Sequence, residues 1–417
     1  MNTTAAPAQH AQPPDPSDRF QRKRDRILDA AAQIINERGL KGLTFVAVAE
    51  AVELNTTSVT YYFKRKEMLA AAAIERTIDL TANLLDAAAD GATADIRVRN
   101  FTRLYLEQAG KARLGRERPT ALLSDLRALE EPERTRLSET YVKRVLHKAK
   151  RFFDPDGSSQ DSGLNHVRAF ILLESLFWSR AWLVKYSVGD YERVSERVLD
   201  LFNHGLFPDG TDWHIGPIDD HMPQADNPDI TPETYLRAAT RLINERGYRG
   251  ASVERIAGEL NVSKGSFYHH LEGKDNLVLE CFHRSYGRIS QAQRAAINLP
   301  GTYRDRLATC MSDLLDIQFD AEFPMVRITA LQALPTDLRR IVLDRSDRTA
   351  TRFAGMISDG IIEGSIRRSD PLIASQWVTG LMNSACDLRP WADDHNGRSE
   401  TAALYIHTIA KGLFAPI

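Results

Sequence analysis

The stretch Asn36-Glu37-Arg38-Gly39 returns as Asn244-Glu245-Arg246-Gly247, at an offset of 208 residues. With that offset and no gap, residues 27–69 and 235–277 share 13 identities in 43 aligned positions. In each copy, apolar residues at helical spacing run up to the glycine, which suits a left-handed helix C-cap, and shorter helical patterns follow. The chain therefore contains two copies of one small helical unit.

The duplication extends beyond this unit, at offsets that drift by only a few residues. Pro119 corresponds to Pro324 at an offset of 205, and Gly205-Leu206-Phe207 corresponds to Gly412-Leu413-Phe414 at an offset of 207. No strand alternation of any length occurs between the repeated segments. The sequence therefore predicts an all-α fold of two similar units in tandem, each a three-helix helix-turn-helix domain followed by a helical domain.

The expected boundaries follow from shifts in composition. The helical pattern is predicted to continue from Ile96 to Leu206, through the leucines of residues 122–129. Residues 208–228 are rich in Pro and Asp and contain no Lys or Arg, which is typical of a linker. The predicted segments begin with a disordered tail (1–19). A helix-turn-helix domain (20–69), called the first reader below, follows with its helical domain (70–207). After the linker (208–228) come the second helix-turn-helix domain, or second reader (229–277), and its helical domain (278–417).

Composition limits the class of protein. The chain has 417 residues, of which 43% are hydrophobic and 26% charged, as in soluble globular proteins of two or more domains. No apolar run is long enough for a membrane span, and residues 1–19 lack the hydrophobic core of a signal peptide. The three cysteines are widely spaced and form no disulfide or metal-clip pattern, which favours a reducing cytoplasm. We expect no membrane association.

The two copies have the pattern of a helix-turn-helix. Such a unit lays its second helix in the DNA major groove, where base edges carry distinguishable donors and acceptors. Hydroxyls at helix N-termini, aromatic hydroxyls and lysines would fix the register on phosphates. The candidate DNA-binding residues are Thr44, Thr56, Thr57, Ser58, Thr60, Tyr61, Tyr62 and Lys66 in the first copy, and Ser252, Lys264, Gly265, Ser266, Tyr268, His269, His270 and Lys274 in the second.

Local charge differs between the copies, although the whole chain has a net charge of only −2. Residues 20–69 carry nine Lys/Arg and six Asp/Glu, whereas residues 228–277 carry seven of each. Because salt screens fields beyond about 8 Å, a phosphate responds to this local balance and not to the total. The first copy is therefore the more basic reader.

Both copies resemble the DNA-binding domain of the TetR (tetracycline-repressor) family of bacterial transcription factors. The match is strong for Val-Ser-Lys-Gly-Ser-Phe-Tyr-His-His-Leu-Glu-Gly-Lys-Asp-Asn-Leu at 262–277. The first copy departs from the family pattern at Thr57, which replaces a glycine, and at Thr60, which replaces a phosphate-contacting tyrosine. The resemblance implies helical ligand-binding and dimerising domains, DNA affinity switched by a small molecule, and usually repression.

The resemblance also implies where the units pair and where an effector binds. Family members form a four-helix dimer interface from their last two helices, which correspond here to residues 166–186 and 191–206, and to 371–386 and 401–413. Aromatic side chains in the helical domains could line a pocket or form ordinary core. The candidate ligand-binding residues are Phe101, Tyr105, Phe170, Phe177, Trp178, Trp182, Phe319, Phe323, Met325 and Trp377.

No catalytic or cofactor motif occurs in the sequence. A nucleophile elbow, a P-loop and a His-Glu-x-x-His pattern are all missing, so we expect no enzyme and no cofactor. His214 and His221 with Asp219 and Asp220 suggest metal ligands, but a solvated linker explains them better, and no metal site is predicted.

The sequence thus favours a DNA-binding transcriptional regulator, a ligand-responsive repressor with two unlike readers in one chain. The units are expected to form an intramolecular pseudo-dimer on an asymmetric double-stranded DNA operator, although a homodimer of tandem chains is the open alternative. The effector is expected to be a hydrophobic or aromatic small molecule. The rival interpretation is a helical adaptor in which one or both readers have lost DNA binding.

Overall fold

The computed structural model describes residues 16–123, 126, 129–158, 161–218, 231–263, 265, 273–320, 325–327, 330–331, 334–395 and 397–417. All its regular elements within these ranges are helices, so the all-α prediction is confirmed. Within the same ranges, no helix combines the length and apolar character that crossing a membrane requires.

Within its described residues, the first unit contains nine α-helices. They are α1 Pro16–Gly42, α2 Phe45–Ala51, α3 Thr56–Tyr62, α4 Lys66–Ala88, α5 Ala94–Arg113, α6 Glu133–Tyr141, α7 His147–Lys150, α8 Ser162–Trp182 and α9 Tyr191–His204. A π-helical turn, Val142–Leu146, joins α6 to α7. The backbone of α1 leaves helical geometry at Gly39, with φ 65° and ψ 178°, as the repeated glycine predicts.

The second unit has the same order of long helices. They are α10 Pro232–Gly250, α11 Val253–Glu259, α12 Lys274–Ile297, α13 Tyr303–Phe319, α14 Thr336–Glu363, α15 Pro371–Ser384, α16 Arg389–Asp394 and α17 Arg398–Lys411. In both units a long helix (α4 or α12) runs from the reader into the helical domain and packs on the first helix of the reader.

The predicted helix through residues 122–129 is wrong for the part that the structure describes. Residues 120–122 and their counterparts 325–327 form irregular loops, called the linking loops below. Their backbone groups are bonded to a side chain of the reader: Asn36 Nδ2 donates to Thr120 O at 2.8 Å, and Leu122 N donates to Asn36 Oδ1 at 3.1 Å. Backbone groups committed to a distant side chain are not available for a helical ladder.

The two units pack against each other through α8 and α9 of the first and α15 and α17 of the second. Trp377 Nε1 donates to Ser175 Oγ at 2.7 Å, and the ring of Trp377 lies 6.3 Å from that of Phe202. Phe170 meets Tyr405 at 6.2 Å between ring centroids. This contact explains why α8 is apolar almost all round, because it is covered both by its own unit and by the other.

The ends of α9 and α17 cross in a reciprocal arrangement. Leu206 N donates to Ile409 O at 3.2 Å, and Leu413 N donates to Phe202 O at 2.7 Å, so residues 207 positions apart exchange equivalent bonds. This is the pattern of an isologous two-fold interface, realised within one chain.

Two glycines make the crossing possible. Gly205 and Gly412 have φ of 59° and 90°, which L side chains rarely adopt. A Cβ on Gly205 would lie 2.3 Å from Ala410 O, and one on Gly412 would lie 2.7 Å from Phe202 O. The repeated Gly-Leu-Phe therefore marks the place where the two backbones touch.

The described first half of the predicted linker lies along the second unit. His214 N donates to Asp305 Oδ1 at 2.9 Å, and Gly216 N donates to Thr309 Oγ1 at 3.0 Å. Lys411 Nζ donates to Pro208 O at 2.7 Å. Asp219, Asp220 and His221 lie outside the described residues.

Candidate DNA interface and effector cavity

The helix-turn-helix of the first reader is built on a small apolar core. Val48 and Val59 are fully buried, and Ala49 fits between α2 and α3 at 3% exposure. The turn between the helices passes through Glu53 at φ 54°, and Leu54 N closes it by donating to Ala49 O at 2.9 Å. These contacts hold α3 at a steep angle to α2, with its other face turned outward.

Side-chain caps start both helices of this reader. Thr44 Oγ1 accepts from Ala47 N at 3.1 Å at the start of α2. Asn55 Oδ1 accepts from Ser58 N at 2.7 Å at the start of α3. Asn55 is the N-cap that the sequence pattern did not single out, although Asn is among the preferred residues there. Thr44 itself is exposed, so its hydroxyl remains accessible beside the helix N-terminus.

The exposed face of α3 carries the predicted contacts. Thr56, Thr57 and Tyr61 are exposed, and Tyr61 is 66% accessible. The remaining predicted contacts of this reader, Ser58, Thr60, Tyr62 and Lys66, are half-buried. Thr60 Oγ1 donates to Thr57 O at 3.0 Å, within its own helix. Thr56, Thr57 and Tyr61 are therefore better placed than Thr60 to meet base edges.

The second reader has the same backbone plan. Asn261 has φ 54° in the turn, as Glu53 does, and Val262 N donates to Ala257 O at 2.9 Å. Ser252 caps α11 by accepting from Arg255 N at 3.3 Å. Gly265 is exposed, and Lys274 begins α12 in a half-buried position. The other predicted contacts of this copy lie outside the described residues: Lys264, Ser266, Tyr268, His269 and His270.

The predicted effector residues of the first unit divide into two groups. Phe101, Tyr105 and Phe177 form one aromatic cluster inside the helical domain, with Phe101–Tyr105 and Tyr105–Phe177 centroids both 6.1 Å apart. Phe152 contacts Phe101 at one end of the cluster, and Tyr141 contacts Phe177 at the other. Burial raises the pKa of Tyr105, against the opposing effect of Arg180 beside its hydroxyl. These rings form a continuous aromatic cluster within the helical domain of the first unit.

The remaining aromatic candidates lie at or near the contact between the units. Phe170 packs on Tyr405, and Trp178 lies against Gly380, where an added Cβ would come within 3.0 Å of the indole. Trp377 is bonded to Ser175 across the contact. Trp182 is buried beside Tyr186, with ring centroids 6.0 Å apart. The positions of Phe170, Trp178 and Trp377 favour a pairing role over a pocket.

The second unit contains a cavity of about 20 Å³ behind its reader. Met325 is part of its wall, Phe319 is buried on α13, and Phe323 lies outside the described residues. The full lining is Phe282, Ser285, Tyr286, Ile289, Gln318, Met325, Val326, Arg327, Asn383 and Cys386. The lining combines two aromatic and several aliphatic residues with polar ones. The sequence pattern missed these polar residues because each is isolated in its helix or loop.

Two helix-turn-helix readers, each followed by a helical domain, define a DNA-binding regulator. A family model for "Bacterial regulatory proteins, tetR family" matches residues 27–73 and 236–281, and one for "Tetracyclin repressor-like, C-terminal domain" matches residues 300–387. The chain belongs to the TetR family, as its resemblance predicted.

Characterised relatives agree with this assignment. The HTH-type transcriptional repressor AcnR of Corynebacterium glutamicum is 32% identical over 149 residues, which are 35% of this chain and 74% of that protein. The fatty acid metabolism regulator protein of Bacillus subtilis is 23% identical over 150 residues, 36% of this chain and 77% of the relative. These relatives are transcriptional regulators and not enzymes.

Among solved structures, FadR from Bacillus subtilis in complex with stearoyl-CoA aligns with 44% of this chain and 99% of its own, at 19% identity and a TM-score of 0.38. Apo AibR aligns with 43% of this chain and 97% of its own, at 19% identity and a TM-score of 0.37.

Proposed function

We propose that the chain is a ligand-responsive repressor whose two units form an intramolecular pseudo-dimer and read one asymmetric operator. The observation that carries this proposal is the reciprocal pair of backbone bonds, Leu206 to Ile409 and Leu413 to Phe202. A TetR-like homodimer would form its interface from the last two helices of each subunit. Here those helices of one unit are covered by those of the other, so a second chain is not needed to bury them.

Further contacts around the crossing support the pairing of units within one chain. Arg367 binds Asp200 of the first unit, with Nη2 2.8 Å from Oδ2, and also donates from its backbone N to Leu206 O at 2.8 Å. Arg168 Nη2 donates to Ala415 O at 2.5 Å in the opposite direction. Arg367 of the second unit thus binds the C-terminal part of the first unit, and Arg168 of the first unit binds the C-terminal part of the second.

The two readers would address unlike half-sites. The first offers Thr56, Thr57 and Tyr61, together with Lys66 at the start of α4, and the second has Lys264 and His269 at equivalent or neighbouring positions. Different donors and acceptors in the major groove select different bases. One chain bound through both readers would therefore prefer an operator without exact two-fold symmetry.

The effector site of this proposal is the cavity of the second unit. At about 20 Å³ it holds little more than a water molecule, whereas small-molecule sites usually measure about 300–1,000 Å³. Binding would therefore select a more open state of this unit, and its strength would depend on the difference in affinity between open and closed states. A hydrophobic or aromatic molecule with a polar group facing Gln318 and Asn383 fits the lining.

Light scattering and footprinting test the pairing and the operator together. The free protein is expected at a mass near the 46.8 kDa of one chain. Its footprint on its own promoter is expected to cover two unlike half-sites about one helical turn apart, roughly 34–36 Å. A smallest stable species of twice that mass, or a footprint over a perfect palindrome, would contradict the pseudo-dimer. Absence of any shift with promoter DNA would favour the adaptor interpretation instead.

A further inference from the structure

The C-terminal end of the first helix in each reader is held by groups from elsewhere in the chain. The last carbonyls of a helix lack partners within the helix, and cationic side chains there also interact favourably with the helix dipole. In the first reader these carbonyls precede Gly39, whereas in the second the equivalent carbonyls, those of the repeated Asn-Glu-Arg-Gly, lie within α10. The donors that reach them show which parts of the molecule control the readers.

In each unit one asparagine bonds the reader to the linking loop. Asn36 exchanges two bonds with the linking loop of the first unit, as described above. Asn244 repeats them in the second unit: its Nδ2 donates to Met325 O at 2.8 Å, and Arg327 N donates to its Oδ1 at 2.9 Å. The asparagine of the repeated motif thus connects the reader to the helical domain through the linking loop.

In the second unit a charged side chain of the linking loop also donates to the reader. Arg327 Nη1 donates to Asn244 O at 3.1 Å, in the C-terminal part of α10. At the equivalent position of the first unit stands Leu122, which has no side-chain donor. Its linking loop therefore holds the first reader without a guanidinium at this position.

Each reader is also reached from the opposite unit. Arg339 Nη1, at the start of α14, donates to Glu37 O of the first reader at 2.7 Å. Arg134 Nη1, at the start of α6, donates to Glu245 O of the second reader at 3.5 Å. The two contacts are counterparts in the duplication, but the one made by the second unit is the shorter.

Of the two donors of the second unit, Arg327 lines the cavity, and Arg339 lies 12 residues further along the chain. Met325, Val326 and Arg327 line the cavity and also form the linking loop of the second unit. The chain then runs through Leu334, whose carbonyl accepts from Arg339 Nη2 at 3.3 Å. The wall of the cavity and the arginine that reaches the first reader thus belong to one short segment.

We propose that the cavity of the second unit controls both readers at once: its own through Arg327 and Asn244, and the first unit's through Arg339 and Glu37. The inference rests on the proposed ligand-responsive function and assigns the control of both readers to one unit. A ligand that displaces the cavity wall moves the linking loop. This movement alters the hydrogen bonds that Arg327 and Arg339 donate to the two readers. In this proposal the first unit supports the pairing and carries a reader, and the signal enters through the second unit.

Cys386 offers a way to perturb the cavity without knowing its ligand. Its thiol lines the cavity and is partly exposed, whereas Cys281 and Cys310 are fully buried. Burial raises the pKa of Cys281 to about 12 and that of Cys310 still further, so both thiols are poor nucleophiles. Benzyl methanethiosulfonate should therefore attach a benzylthio group at Cys386 and press on the wall.

The experiment measures hydrogen exchange of the full chain, without DNA, in peptides covering residues 31–42 and 239–250. We expect labelling to raise exchange about threefold or more in both peptides, and the same treatment of Cys386→Ala to raise neither. In Arg339→Ala the label should still act on residues 239–250 but no longer on residues 31–42. A label effect confined to residues 239–250 in the unsubstituted chain, or one on residues 31–42 that survives Arg339→Ala, would overturn the proposal.

Unlabelled variants provide an independent measurement. Arg339→Ala alone should raise exchange in residues 31–42 only, by about threefold to tenfold, as expected for the loss of a hydrogen bond of typical net strength. Arg134→Ala should raise it in residues 239–250 only, and by less. The neighbouring exposed Arg340→Ala is the matched control and should change neither; if it matches Arg339→Ala, the cross-unit contact has no specific role. Because no DNA is present, failure to bind an operator would overturn the proposed function and leave this result standing.

Discussion

The two linking loops are held in the same place by opposite arrangements of charge. In the first unit, Arg180 on α8 donates to Thr120, with Nη1 2.9 Å from Oγ1 and Nη2 3.1 Å from the carbonyl O. In the second unit the arginine lies on the loop, and Arg327 Nε is 3.6 Å from Asp387 Oδ1, after α15. Asp387 is the counterpart of Arg180 at an offset of 207. The duplication has kept the position of the loop while exchanging the groups that fix it.

This exchange has consequences for the interiors behind the loops. In the first unit Arg180 lies beside the buried hydroxyl of Tyr105, which belongs to the aromatic cluster. In the second unit the cation faces Asn244 and Asp387, and a cavity remains between α12, α13 and α15. Under our proposal the first unit supports the pairing and the second binds the effector. The experiments below test how far the two units differ.

The glycine crossing is the part of the molecule where the two units should be most alike. Gly205→Ala and Gly412→Ala should each cost at least about 3 kcal/mol of unfolding free energy, because each combines positive φ with a Cβ too close to a carbonyl oxygen. Urea unfolding gives the values. Gly210→Ala is the matched control, since Gly210 has φ 64° with nothing within 4 Å of the added Cβ, and should cost only about 1 kcal/mol. Equal costs at Gly205 and Gly210 would mean that the crossing is not close-packed.

Repetition explains which features of the fold were predictable. The helix ends at Gly39, Gly205 and Gly412 could be predicted because a glycine at a fixed offset reports a local backbone requirement. The helical reading of residues 122–129 failed because that segment is fixed by Asn36, a residue 86 positions away from Leu122. Apolar spacing contains no information about such a distant partner.

The candidate sites were predictable to different extents for the same reason. The outward face of α3 follows from local spacing, and Thr56, Thr57 and Tyr61 lie where the pattern places them. Aromatic residues on α8 could be recognised as buried, but the sequence did not reveal whether the other unit or a pocket buries them. Arg339 gave no signal at all, because its partner is the carbonyl of Glu37, 302 positions away.

Acidification should affect a contact between the units that involves His166 of the first unit and has no titrating counterpart in the second. His166 stacks on Trp391 at 4.2 Å, and burial, followed by Lys150, His395 and His147, lowers the pKa of His166 to about 4. Because this pKa is below the ordinary value of about 6.5, the contribution is complete above pH 6.5 and is lost as the pH falls towards 4. The loss should be up to about 3 kcal/mol.

The variant His166→Phe isolates this effect from the titration of carboxylates. It keeps a ring against Trp391 but has no proton to gain, so its unfolding free energy should fall less between pH 7 and pH 4.5 than that of the unsubstituted chain. At an offset of 207 the counterpart of His166 is Ile373, which cannot titrate. Identical pH profiles for the two proteins would show that the stacked histidine does not distinguish the units.

The caps of the recognition helices compare the two readers more finely. Asn55→Ala should lower the unfolding free energy by about 1 kcal/mol, because it removes the 2.7 Å bond from Ser58 N that starts α3. The same change should weaken binding at the first half-site of the operator and leave the second half-site unaffected. Thr56→Ala is the control for stability, since Thr56 is exposed and should cost less. If both half-sites weaken equally, the readers do not act on separate halves of the operator.

The smallest effect expected is on the salt dependence of DNA binding. Each phosphate contact that is lost lowers the slope of log K against log salt concentration by about 0.9. Lys66 follows Lys64 and Arg65 in a window with a balance of three positive charges, whereas Lys274 precedes Asp275 in a window with no net charge. Lys66→Ala should therefore reduce the slope by nearly this full amount, and Lys274→Ala by clearly less. The measurement is fluorescence anisotropy on promoter DNA across a salt series. Equal reductions would show that the difference in local charge does not reach the phosphates, and that the two readers grip the backbone alike even where they read different bases.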